Sequence, residues 1–497
     1  MSYLGIDIGM TGAKALLVAE DGNILERKYT DYGSDYKKNL QKDINPIGIW
    51  NEVKDIIQTC RCNQAKDPVK TISFSVSGDD FFSADHQGRP LVNVISAYQN
   101  TGIEYENYII EKFGNEDNIF QTTGQPIRGN VYPLHRILWI KEHLPKIYQK
   151  TWKFMCWEDY FNYLLTGKCI SDHSLVSRTL LFDINTKQWS NSLMESLDID
   201  PQKFPDIIEP GKIIGIIKNE MAQELSLPVD CQVVTGGFDQ PAACLGAGVI
   251  NSSVFSLSLG TVVASHWLLE VEHNKKEKSY SYCCSLLKNK HMGMFFTFNG
   301  CAVLNWFFNE LVKNENRTYD YYNNQISSDR PSKLFVMPHF GGAMQPYNDS
   351  HSKGMILGLN FDTKREDILK AIYEGIAFDL KRNYRLLERK NAGIKEIRVV
   401  GGGSRSDVWM QLLANITGLT ITTLRSDEGS SMGVAMLGAC AVGAFNSVEE
   451  AVAKWIVKKA AFEPEINAMK AFEAKYQKYL QIYDNVKSFN DFLEAQK

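Results

Sequence analysis

One pattern occurs twice in this chain and constrains its fold more than any other feature. Tyr3-Leu4-Gly5-Ile6-Asp7-Ile8-Gly9 reads as a strand ending in glycine, and Met10-Thr11-Gly12 turns the chain into a second strand over residues 13–19. Residues 254–259, the turn Gly260-Thr261 and residues 262–265 repeat that plan, though not its letters. Two such hairpins, one opening each half, suggest an internal duplication. The amides and hydroxyl of a Gly- and Thr-rich turn can cradle phosphate oxygens, although such a hairpin alone is usually only a hairpin. Two turns facing one another across a cleft could grip one polyphosphate from both sides. Asp7, at the mouth of the first turn, is placed to hold Mg²⁺ directly or through water.

Near the middle, Cys231-Gln232-Val233-Val234 reads as a buried strand running into Thr235-Gly236-Gly237-Phe238-Asp239-Gln240. The two glycines permit a sharp turn that presents Asp239 at a strand end. A carboxylate there is a candidate general base, and the competing reading is a helix N-cap. The small-residue run 242–248 reads as a closely packed helix.

Residues 69–76 form a further strand that ends at Ser77-Gly78-Asp79-Asp80. Loops beyond strand ends are the usual ligand positions in α/β sheets, so Asp79 and Asp80 are candidates for holding polyol hydroxyls, or else turn carboxylates. Thr363-Lys364-Arg365-Glu366 reads as a capping box before a helix that carries Ile368, Ile372, Ile376 and Leu380. Residues 394–400 are a strand leading into Gly401-Gly402-Gly403, bare backbone against which a flat ligand can lie. From about residue 448 the pattern is that of a surface helix.

Composition excludes several classes. The chain has 497 residues, 44% hydrophobic and 23% charged, with a formal net charge of -4. That describes an ordinary globular protein of two or three domains with no field for nucleic acid or anionic membrane. No basic, apolar leader opens the sequence, no run is apolar enough to span a membrane, and a cytoplasmic protein is expected. The 10 cysteines include the close pairs Cys60/Cys62 and Cys283/Cys284, neither of them CxxC, and read as reduced thiols. The 9 histidines show no HExxH, so zinc is not expected. Neither GxxxxGK[ST] nor GxGxxG occurs, which disfavours a Walker A loop and a dinucleotide fold.

Taken in order, these segments resemble the FGGY family of carbohydrate kinases, which contains xylulokinase, gluconokinase and glycerol kinase. The anchors are Gly5-Ile6-Asp7-Ile8-Gly9, Ser177-Arg178-Thr179, Gly237-Phe238-Asp239, Ser258-Leu259-Gly260-Thr261 and Val400-Gly401-Gly402-Gly403-Ser404-Arg405-Ser406. The resemblance implies an α/β chain of two actin-like, ribonuclease-H-like domains with an active-site cleft between them. Residues 1–247 would form a sugar-binding N-terminal domain, and residues 248–497 an ATP-binding C-terminal domain with a helical tail. Residue by residue, Asp239 matches the catalytic base and Asp7 the acid that works with Mg²⁺. Gly9, Thr11 and Gly12, with Lys14 beside them, and Gly260 with Thr261, match the two phosphate loops. Gly401, Gly402, Gly403 and Ser406 match the nucleoside wall, and Asn305 falls where relatives place a polar residue near the nucleotide. The implied ligands are ATP, Mg²⁺ and a small sugar or polyol; a homodimer stays open.

Apart from Met10 in the first phosphate loop, the departures lie on the sugar side. Met10 stands where the family usually has Thr or Ser. The Gln-Met-His-Gly motif of xylulokinases is replaced by Val76-Ser77-Gly78-Asp79-Asp80, and Trp-x-Asp-x-Arg by Ala97-Tyr98-Gln99-Asn100-Thr101. Gly-Glu-Arg-x-Pro becomes Gly342-Ala343-Met344-Gln345-Pro346. Gly78, Asp79, Asp80, Gln99, Asn100 and Asp239 are therefore the expected substrate contacts. The loss of the arginine favours a neutral ketose or polyol over a sugar acid. The rival readings are a nucleotide-driven protein of the actin or chaperone type and a sugar-sensing pseudokinase.

Overall fold

The computed structural model describes residues 1–32, 44–60, 67–96, 99–127, 131–270, 276, 278–313, 318–388 and 393–495. Ala97 and Tyr98 of the sugar-side turn, and Cys62, lie outside them. The chain divides into two compact units: one of Met1–Ile250, Leu268–Gly293 and Glu428–Ile456, the other of Asn251–Trp267, Met294–Asp427 and Val457–Lys497.

In the first unit, β1 (Ser2–Ile8), β2 (Gly12–Ala19) and β3 (Ile24–Asp31) form an antiparallel meander. β4 (Val69–Val76) lies parallel to β1 on the other side. The sheet continues through β5 (Ile213–Ile216) and β6 (Gln232–Val234) in the order β5-β6-β4-β1-β2-β3, and β7 (Gly237–Phe238) also pairs with β4. Leu4, Ile6, Ile8, Ile72, Phe74 and Val233 are all buried, as strands covered on both faces require.

In the second unit, β8 (Val254–Leu259) pairs antiparallel with β9 (Val263–Glu270) and parallel with β10 (Glu396–Val400). β11 (Thr420–Leu424) follows parallel, and β12 (Lys458–Phe462) closes the edge antiparallel. Hairpin, parallel neighbour, second parallel neighbour and antiparallel edge thus recur in both sheets, as the repeated hairpin leads one to expect. Trp267, Phe255, Phe295 and Tyr384 pack against the hairpin side, with Phe255 and Trp267 stacked at 5.7 Å.

The division is less simple than a single cut at 247/248. The chain first changes unit at Ile250/Asn251, and two later segments return to the first unit. Close approach explains the larger return. A Cβ at Gly5 of β1 would lie 2.0 Å from the Ser431 carbonyl oxygen, and one at Gly433 would lie 2.2 Å from that of Ala242. Helix Gly429–Ala441 therefore rests directly on β1 and on helix Asp239–Gly246, a contact only small residues permit.

Two local expectations need correction. The helix Arg365–Glu388 is capped one residue later than read: Asp367, not Glu366, reaches back to accept from the Lys364 amide at 3.0 Å. The end of the chain is not one surface helix but helix Val448–Trp455, then β12, then helices Ile466–Tyr479 and Ile482–Glu494. Phe472, Tyr476 and Tyr479 of the first of these last two are buried. Every described cysteine is a free thiol. Among the described residues, no helix is long and apolar enough to cross a membrane.

Candidate functional site

The parallel trio β1, β4 and β7 ends on one side of the first unit, and each strand delivers a carboxylate there. Asp7 is opposite Ser75 in the β1/β4 register, and Gly237 is opposite the same Ser75 in the β4/β7 register. The Ser77–Asp80 turn leaves β4, and Asp239 follows β7 directly. Convergence of ligand groups at the carboxyl ends of strands is what parallel pairing produces.

Asp239 is the first residue of helix Asp239–Gly246, and Phe238 occupies the cap position. The N-cap reading therefore does not hold: the carboxylate accepts from Gln240 Nε2 at 3.0 Å instead. Burial pushes the Asp239 carboxyl up to about 8, with the charges of Asp7 and Asp79 adding and Gln240 and Arg178 opposing. Burial also pushes Asp7 up to about 6, against a hydrogen bond from Ser75 and the charge of Lys14, while Glu428 adds to the rise. Lys14 is the hairpin partner of Asp7, and its Nζ lies 3.4 Å from Glu428. The Gly9 amide donates to the Gly12 carbonyl at 3.0 Å and closes the first turn, with Thr11 exposed on it.

The two acids after β4 part company. Asp79 accepts from Arg178 Nη2 at 2.8 Å and Nε at 3.1 Å. Arg178 also donates to Gln125 at 2.8 Å and lies over the rings of Tyr132 and Phe238. Burial opposes the guanidinium charge, but Asp79 outweighs it and holds Arg178 above its ordinary value. Asp80 is buried, accepts from Trp157 and Ser96, and faces Arg136; burial raises it to about 6. It braces the loop from behind. The Gln99 amide donates to the Ser96 carbonyl at 3.1 Å, and Asn100 is exposed. Gly78 is wedged between Phe238 and Arg178, where a Cβ would meet them at 2.7 and 2.8 Å.

The second unit assembles its own set. The amides of Cys301 and Ala302 donate to the carbonyls of Gly260 and Thr261 at 2.8 and 3.3 Å, pinning helix Cys301–Trp306 onto the second Gly-Thr turn. Asn305 is one turn along that helix and accepts from Tyr319 Oη at 3.3 Å. Cys301 Sγ lies 3.6 Å from the Leu259 carbonyl oxygen, and Gly401 and Gly403 close on Leu259 from the side of β10. Above Gly402 there is open space: a Cβ there would meet nothing within 4 Å. The Ser406 hydroxyl is engaged within the fold, accepting from the Trp409 amide at 3.4 Å and hydrogen-bonded to Tyr373.

Asp7, Asp79 and Asp239 are thus brought together within the first unit, and Gly260, Thr261, Asn305 and Gly401–403 within the second. Sequence reasoning gave no role to Arg178, though its Ser-Arg-Thr triplet stood out, and passed over Ser75, Gln240, Glu158, Asp172 and Ser174. Their partners lie far off in the chain, and no spacing along it points to them.

Both halves of the chain match models of the FGGY family of carbohydrate kinases, the N-terminal domain over residues 2–246 and the C-terminal domain over 284–442. A xylulose kinase of Staphylococcus xylosus is 26% identical over 489 residues, covering 97% of this chain and 100% of that one. A gluconokinase of Bacillus licheniformis is 26% identical, with 97% and 95% covered. Among solved structures, the ligand-bound xylulose kinase of Lactobacillus acidophilus shares the fold with a TM-score of 0.88 at 22% identity, with 99% of each chain covered. Plasmodium falciparum glycerol kinase with ADP does so at 0.86 and 21%, with 97% of each covered. The fold is that of two-domain, actin-like sugar phosphotransferases. The chain belongs to the FGGY family of carbohydrate kinases and is an ATP-dependent sugar kinase, a phosphotransferase with an alcohol group as acceptor.

Proposed function

We propose that the enzyme transfers the γ-phosphoryl group of ATP to a primary hydroxyl of a small neutral ketose or polyol, with Asp239 as general base. The observation that carries this reading is the setting of Asp239: directly after β7, within the field of Asp7 and Asp79, and raised by burial to about 8. A carboxylate so raised is a stronger proton acceptor than one in water. Phosphoryl transfer asks a protein mainly for positioning and electrostatics, which a rigid strand-end array supplies.

Asp7 suits Mg²⁺ as a desolvated oxygen donor whose carboxyl burial holds up at about 6. One carboxylate with phosphate and water oxygens fits the habit of that ion. Bound there, the cation would offset charge on the transferring group. Gly9, Thr11, Gly12 and Lys14, and Gly260 with Thr261, would hold phosphates. Gly401, Gly402, Gly403 and Asn305 would hold the nucleoside, with Ser406 supporting that wall from within.

On the sugar side, Asp79, Gln99 and Asn100 would take hydroxyls, with Gly78 and Asp80 shaping the loop. Arg178 is already paired with Asp79 and Gln125, which leaves its charge committed and supports a neutral substrate. The relatives favour xylulose first, and the gluconokinase makes an aldonate the second reading. A panel of pentuloses, pentitols, tetritols and aldonates in a coupled ADP-release assay tests this. A neutral pentulose or polyol should give the highest kcat/KM. D-gluconate as the best substrate would overturn the pocket assignment, and no turnover of any sugar by ATP-binding protein would overturn the reading of Asp239.

A further inference from the structure

The segment that leads into Asp239 is gripped from both sides by three buried side chains that the catalytic reading leaves unused. The Gly236 amide donates to Glu158 Oε1 at 2.7 Å, and the Phe238 amide donates to Ser174 Oγ at 3.0 Å. Ser174 Oγ donates in turn to Asp172 Oδ1 at 2.5 Å, and the Ser174 amide reaches the same oxygen at 2.7 Å. Glu158 and Asp172 lie close enough to act on each other's carboxyl, and Glu158 Oε2 and Asp172 Oδ2 accept from no donor among the described residues. Glu158, Asp172 and Ser174 are fully buried.

Two carboxyl groups can hydrogen-bond to each other only when one keeps its proton. Burial raises both, so one of the two keeps its proton and donates to the other. The contacts then close into a ring in which every hydrogen has an acceptor. The segment lies directly on it: Gly237 has φ +149, and a Cβ there would stand 2.5 Å from Ser174 Oγ.

We propose that Glu158, Asp172 and Ser174 are positioning residues for phosphoryl transfer, a closed ring of hydrogen bonds that fixes the Gly236–Gly237–Phe238 segment and so the direction in which Asp239 presents its carboxylate. The proposal rests on the reading of Asp239 as base. None of the three touches substrate; they act by denying the segment freedom, and a misplacement of about 1 Å can cost on the order of a hundredfold in rate.

The test is a set of variants assayed for kcat and KM on the best sugar of the panel, with hydrogen–deuterium exchange of peptides spanning residues 234–240 as a readout that needs no sugar. Glu158→Gln keeps an acceptor for Gly236 and a donor for Asp172, and should hold kcat within about threefold. Asp172→Asn should do the same, its amide donating to an ionised Glu158. In the double variant both amide oxygens stay committed to Gly236 and Ser174, so two NH2 groups face each other, and kcat should fall at least about tenfold, far more than the singles combined. Ser174→Ala, a small change chosen because it should fold, removes the acceptor of the Phe238 amide. It should lower kcat about tenfold with KM values nearly unchanged and speed exchange of the segment. Wild-type kcat and exchange in Ser174→Ala would overturn the proposal, as would a Glu158→Gln variant as damaged as the double. Asp239→Ala run in parallel separates the two claims. If it stays active the base reading falls; if it is inactive while Ser174→Ala is normal, only the ring falls.

Discussion

Ser75 Oγ donates to Asp7 Oδ1 at 2.8 Å between residues that are register partners on adjacent parallel strands. The bond fixes the rotamer of a desolvated carboxylate without neutralising it. A cation should therefore bind Asp7 more strongly than an exposed acid would allow. Asp7→Asn should raise the Mg²⁺ concentration for half-maximal rate by roughly tenfold or more, and Ser75→Ala by less, since it leaves the charge in place. Superimposable Mg²⁺ titrations of wild type and Asp7→Asn would remove Asp7 from this role.

Loss of the base has a separate signature. Asp239→Ala should lower kcat by about two to four orders of magnitude, while sugar and ATP dissociation constants change only a few-fold. Single-turnover measurement on the best sugar of the panel decides it; near-normal kcat would refute the assignment.

The same residue makes stability depend on pH. Its folded pKa of about 8 lies above its ordinary value of 3.8, so the folded state binds the extra proton throughout that interval. The contribution to stability is complete below the ordinary value and is lost as pH rises through about 8. Asp239→Asn removes that loss. Its melting temperature should match wild type near pH 4 and exceed it increasingly up to about pH 9. A constant difference across the series would show that Asp239 is not raised.

The two neighbouring glycines of the nucleoside wall should respond differently. A side chain at Gly402 meets open space, so Gly402→Val should fold normally and weaken ATP binding, seen as a raised KM for ATP with the sugar KM unchanged. A Cβ at Gly403 would stand 2.6 Å from Leu259 Cγ and 2.9 Å from Trp409, so Gly403→Val should lower the melting temperature instead. Unchanged ATP binding in a folded Gly402→Val would take the nucleoside away from this wall.

Asp79 and Asp80 are separable in the same way. Asp79→Ala frees the buried Arg178 and removes a hydroxyl acceptor; at about 1–3 kcal/mol for an unpaired polar group, the sugar KM should rise roughly tenfold. Asp80→Ala should act mainly on stability, since its partners Trp157, Ser96 and Arg136 all belong to the protein. An unchanged sugar KM in both variants would move substrate recognition to backbone groups.

Much of this architecture was legible in the order of residues because it rests on local rules. Alternating or continuous apolar runs mark β1, β4, β8 and β10, and the Gly-Thr turns between strands show that one hairpin plan is used twice. Gly236-Gly237 before Asp239 reads as a sharp turn, but Val233 and then Gly237 and Phe238 pair parallel with the same β4, so the glycines interrupt the ladder without turning the chain and the strand end falls at Phe238. What remained hidden depends on contacts between residues far apart in the chain. Helix Gly429–Ala441 belongs with β1 because Gly5 and Gly433 let backbones touch, and no spacing along the chain states which glycine meets which. The pairing of Asp79 with Arg178, 99 positions away, and the ring through Glu158, Asp172 and Ser174 arise only when parallel strands bring their ends together. The sequence by itself determined the strands, the turns and the acid at each strand end, since those follow from backbone sterics and hydrophobic periodicity. Only the tertiary structure decided which acids are desolvated, which are spent on arginine and which share a proton, because burial and electrostatic coupling are properties of neighbours in space.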